Sequence, residues 1–192
     1  MDNRYKYLIK NTGILTISSF STKILTFLMV PLYTSVLTTE EYGTYDLAVS
    51  TVSLLIPILS VNIVDGVMRY SMDSRYDRAD IFSIGLRRIS VAAFIFAAIL
   101  AANSVFHITN VFAGEELLIL LYFISTLLYS LLTQFAKGCE AVKQMAIAGI
   151  ISTVCLVGTN ILLLLVFELG VTGFFIASCA SQLIPAIYLA VR

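Results

Sequence analysis

The sequence predicts an all-α membrane protein made of six transmembrane helices in one bundle, with both termini on the cytoplasmic side. Three observations carry this. The chain of 192 residues is 59% hydrophobic and only 12% charged, about half the charge of an ordinary soluble domain. Its apolar residues gather into six stretches, each long enough for the ~20 residues that cross a bilayer. Eleven of its twelve lysines and arginines then fall on one side of an alternating topology, Lys23 being the exception, which is the charge asymmetry that orients membrane helices.

Residues 1–11 are a short basic lead-in (Arg4, Lys6, Lys10) interleaved with Tyr5, Tyr7 and Leu8, a pattern suited to the cytoplasmic interface. The spans are placed at 12–37, 45–68, 84–106, 116–136, 144–167 and 171–191. Connector 69–88 holds Arg69, Arg75, Arg78, Arg87 and Arg88, and Lys137 and Lys143 flank the next connector on that side. The opposite connectors, 38–44, 107–115 and 168–170, contain no lysine or arginine and carry Glu40, Glu41, Glu115 and Glu168. The first stretch is too long for a signal peptide and is followed by further spans.

Polar residues within the spans are not scattered. Thr12, Thr16, Ser19, Lys23 and Thr26 recur at steps of four and three in the first span, and Asp46, Ser50, Ser53, Pro57 and Ser60 do so in the second. Each set therefore lies on a single helical stripe, and the two stripes are expected to face inward. Ala93, Ala97 and Ala101 in the third span form a small-residue repeat that favours close helix packing. Serines and threonines alone read equally as glue between helices.

The ionisable residues point to more than packing. Lys23 lies roughly 16 Å along the helix from Thr12, near the bilayer midplane. Burying its ammonium there costs about 2.5–3.5 kcal/mol on insertion scales, so such residues usually face a cavity or a partner. Asp65 and Arg69 are four apart and can pair along one helix face, as a surface anchor or as a functional pair. Asp65 sits roughly 10 Å shallower than Lys23, which argues against a direct bridge between them. Asp46 reads as a cap for the second helix. Pro31 and Pro57 are bending points.

No enzyme is expected. His107 is the lone histidine, and no P-loop, HExxH or glycine-rich phosphate loop occurs. The three cysteines, Cys139, Cys155 and Cys179, have no metal-binding spacing, so neither metal nor cofactor is expected. The basic residues follow topology and form no nucleic-acid patch.

The stretch from Lys10-Asn11-Thr12 through Ser19-Phe20-Ser21-Thr22-Lys23 and Pro31-Leu32-Tyr33-Thr34 to Glu40-Glu41-Tyr42-Gly43-Thr44-Tyr45-Asp46 resembles the opening of the polysaccharide biosynthesis flippases. These are the O-antigen-type transporters of the MOP superfamily, whose bundles are MATE-like. The resemblance implies transport of undecaprenyl-diphosphate-linked oligosaccharide, an anionic partner, across the bacterial cytoplasmic membrane for surface polysaccharides such as lipopolysaccharide O-antigen. It implies a central cavity with Lys23 and Arg69 as basic residues, beside which Asp65, Ser19, Thr26 and Ser53 complete the candidate site. It also implies twelve to fourteen spans in two bundles. The six seen here would be the N-terminal half, either truncated or working with a second half. A membrane scaffold for polysaccharide assembly proteins and a MATE-like drug or cation antiporter are the competing readings.

Overall fold

A computed structural model describes residues 13, 16, 27, 30, 31, 33–107, 112 and 114–191. Most of the first expected span, including Ser19, Lys23 and Thr26, lies outside the described residues. Those described form helices and connecting turns, with no strand among them.

A helical turn at residues 33–36 leads into α1 (Thr39–Ser60). Next come α2 (Ile63–Ser71), α3 (Arg78–Phe106), α4 (Glu116–Gly138), α5 (Val142–Asn160), a π-helical turn (Ile161–Val166) and α6 (Gly170–Val191). Five of these, α1, α3, α4, α5 with its π turn, and α6, are long and apolar enough to cross a membrane. The chain is an all-α membrane protein.

Local sequence explains where the helices begin. Thr38 accepts from the Glu41 backbone N–H, while the Glu41 carboxylate accepts from Thr38 N–H at 2.8 Å. This reciprocal capping box starts α1 six residues ahead of the expected 45. Asp46 is consequently in mid-helix and does not cap it. Asp77 accepts from Ala79 N–H at 2.8 Å and starts α3 at 78 in place of 84.

The second expected span, 45–68, is not one helix. It breaks after Ser60, where Val61 (φ 52°) and Asn62 (φ 49°) both adopt the left-handed conformation. A β-branched valine with positive φ is strained. Pro57 prepares the break, because it has no N–H to donate to the Ser53 carbonyl one turn back. The Asn62 N–H then bonds to the Pro57 carbonyl at 3.1 Å and closes the end of α1.

The core lies between α1, α3 and α4, where Ala48, Val52, Ala92, Phe96, Phe123, Leu127 and Leu131 are buried. Phe96 stacks on Phe123 at 4.3 Å. The packing face of α3 is Gly85, Ile89, Ala92, Phe96 and Leu100. The Ala93–Ala97–Ala101 repeat is one position off that face, and Ala101 is exposed. Phe96 and Phe123 set the rotation of the helix, and the small residues at the contact are Gly85 and Ala92. Two glycines let α2 sit close: a Cβ on Gly138 would stand 2.7 Å from the Met68 carbonyl oxygen, and one on Gly85 would stand 2.8 Å from Val67 and Leu131.

Polar residues of the later spans mostly join helices. Buried Asn160 donates to the Tyr33 hydroxyl at 3.0 Å, just ahead of the π turn. The Tyr45 and Ser178 hydroxyls are 3.1 Å apart. Tyr33 and Tyr45 flank Phe174 at centroid distances of 4.2 and 3.8 Å.

Candidate functional site

Of the six residues singled out from the sequence, Ser53, Asp65 and Arg69 are described, and they stand on either side of the break between α1 and α2. Ser53 is on the face of α1 that no described helix covers. Asp46, Ser50, Ser53 and Pro57 are all exposed along it, while Ala48 and Val52 are buried against the core. Ser60, the last member of the expected stripe, is buried and its hydroxyl has no partner among the described residues. A second stripe, Leu47, Leu54 and Ile58, is also exposed and runs beside the polar one. The uncovered face of α1 thus presents a polar band next to an apolar band.

Asp65 occupies the third position of α2. Its carboxylate accepts from the Asn62 side-chain amide at 2.9 Å and from the Gln134 amide of α4, also at 2.9 Å. The first turn of a helix is where an anion is favoured, because free N–H groups and the helix dipole meet there. The expected Asp65–Arg69 pair is not formed: the one ion pair among the described residues joins Arg75 to Asp73 at 2.6 Å. The geometry of the break accounts for this. Turning the chain at 61–62 brings Asn62 within reach and docks α2 against α4, so two amides take the carboxylate and leave Arg69 exposed in the last turn.

Asn62 and Gln134 are members of this cluster that the sequence reading missed as a site. A turn-forming asparagine just ahead of an apolar, acid-bearing turn was the available signal for the first. Nothing in the sequence pairs residue 134 with residue 65.

A bundle of helices long and apolar enough to cross a membrane defines a multi-pass membrane protein. Comparison with protein-family models places it more narrowly. The family described as "Polysaccharide biosynthesis protein" matches residues 8–191, and the chain belongs to that family. No curated protein and no solved structure matches it. It is a membrane protein of polysaccharide biosynthesis.

Proposed function

We propose that this chain is a transporter bundle, and not an enzyme, which moves undecaprenyl-diphosphate-linked oligosaccharide across the bacterial cytoplasmic membrane, with its arginine-rich connectors in the cytoplasm. The observation that carries this reading is the polar band of α1 that no described helix covers, in a protein of polysaccharide biosynthesis. A carboxylate within a span, as Asp46 is in α1, is costly to turn toward lipid and is normally kept for a water-filled path. Such a path suits sugars, whose hydroxyls need replacement hydrogen bonds as they leave water. Ser53 can supply them, together with Ser19 and Thr26 from the first span.

A diphosphate needs cations. Lys23 offers one near the midplane, and Arg69, which has no ion partner among the described residues, offers one near the entrance. Asp65 holds the half-helix that carries Arg69. Rocking this bundle against a second one would expose the site to each side in turn.

The test is substitution in the protein expressed in its host. Lys23→Ala should abolish surface polysaccharide while the protein remains inserted, and Arg69→Ala should reduce it. Unchanged export in Lys23→Ala rejects the cavity role. A scaffold would keep its inserted partners and show no binding of diphosphate headgroups by the purified protein. A transporter binds them and loses that binding with Lys23.

A further inference from the structure

An apolar cleft of about 360 Å³ opens at the corner between α2 and α3, away from the polar band of α1. Its walls are Ile63, Val67, Ile81 and Ile84, and it is flanked by Tyr70 and Tyr76, whose rings meet edge to face at 5.4 Å. Its depth in the membrane follows from the length of α3. Twenty-nine residues make a helix of about 43 Å, against a hydrocarbon core of about 30 Å. Residues 89–106 hold no charge and fill the core, so Ile81 and Ile84 stand at headgroup level. Apolar side chains there line a cleft where water and headgroups would otherwise be.

Five arginines and four aspartates fall between residues 65 and 88. Arg69, Arg75, Arg78, Arg87 and Arg88 are all exposed. Of the four aspartates in the same stretch, Asp65 accepts from two amides, Asp73 is occupied by Arg75, Asp77 caps α3, and Asp80 is exposed beside Ile81. Among the described residues the other four arginines have no ion partner. Helical periodicity places Arg88 one turn beyond Ile84 on the same face. A second copy of the chain would bring the same cations and be repelled. The complement of an apolar cleft between two helices whose arginines, Arg75 apart, have no ion partner among the described residues is an acyl chain that ends in a phosphate.

We propose that this cleft is a binding site for an anionic phospholipid, seating one acyl chain between α2 and α3 with its phosphate held by the surrounding arginines. Arg78, Arg87 and Arg88 on α3 have no part in the transport reading, so the proposal does not depend on it. Clusters of four or more basic residues beside a membrane helix attract anionic lipid, each contributing a factor of about five in affinity.

The chain has no tryptophan, so one introduced indole reports from a single place. The experiment reconstitutes the full chain carrying Tyr76→Trp in phosphatidylcholine vesicles doped with acyl-brominated phosphatidylglycerol or acyl-brominated phosphatidylcholine. Quenching by the anionic lipid should be stronger at equal mole fraction, and each of Arg78→Gln and Arg88→Gln should weaken that preference about fivefold. Tyr70→Trp provides an independent reporter should the first variant fail to fold. Phe94→Trp, on the exposed face of α3, should show no preference. Gly66→Leu should abolish the preference by filling the cleft, since a Cβ at Gly66 touches only Ile63 Cδ1 at 3.9 Å and the helix can accept it. Equal quenching by the two lipids at residues 70 and 76 overturns the proposal. So does displacement of phosphatidylglycerol by far smaller mole fractions of a polyprenyl monophosphate, which would make the occupant a prenyl lipid.

Discussion

Asp65 is held by two amides and by no cation among the described residues. A carboxylate so placed can be traced by a double-mutant cycle. Asp65→Ala and Gln134→Ala should couple by about 0.5–1 kcal/mol in unfolding experiments, the size found for polar contacts between membrane helices. Simple additivity would mean that the contact does not hold α2 to α4. Buried Asn160 is more demanding, since its Oδ1 has no partner among the described residues. Tyr33→Phe removes the partner of its Nδ2 and should cost about 1–3 kcal/mol, read as a fall in the unfolding midpoint. In the connector after α2, the Arg75 side chain, by hydrogen bonding Asp73, holds that carboxyl below the usual aspartate range. A folded-state pKa lowered in this way stabilises above the unfolded pKa, and the effect is lost as pH falls through the folded value. An NMR titration of the connector should show this lowered Asp73 transition return to the ordinary range in Arg75→Gln.

At the scale of elements, the break in the second span is the largest departure from what the sequence conveys. Pro57 marked a bend, but nothing about Val61 announces a left-handed residue, because its conformation is imposed by α2 packing on α3 and α4. Exposed Val61 gives up little packing on substitution, so Val61→Gly should raise stability by about 1 kcal/mol through relief of strain. An unchanged midpoint would mean that the turn is unstrained. The seat of α2 depends on Gly138. Gly138→Leu must push against the Met68 carbonyl and should destabilise by about 1–3 kcal/mol. Other boundaries were legible and passed over: Thr38-x-x-Glu41 is a capping box in plain sequence. The rotation of α3 was not legible, because several small residues compete for the contact and only the stacked Phe96–Phe123 pair decides among them.

For the molecule as a whole, the membrane class was legible because it rests on composition, which no local error disturbs. The polar band of α1 was also legible, since its four-and-three spacing survives in a helix whatever the helix packs against. The three-way meeting of residues 62, 65 and 134 was not, because contacts distant in sequence leave no periodicity. Cysteine labelling tests the orientation. In intact cells, Ser74→Cys should stay unreacted with a membrane-impermeant maleimide while His107→Cys reacts, and the reverse pattern would turn the protein over in the membrane. Finally, the two ends of the bundle are fastened unequally. At the acidic end, the Glu41 carboxylate lies where a side chain on Gly170 would be, and Thr172 donates to Glu115 at 3.1 Å, so the starts of α1, α4 and α6 are stitched together. At the arginine-rich end, α2 follows a strained two-residue turn and is tied to α4 by the Asp65–Gln134 hydrogen bond and close packing. Backbone amides of this short helix should exchange with solvent sooner than those at the start of α6.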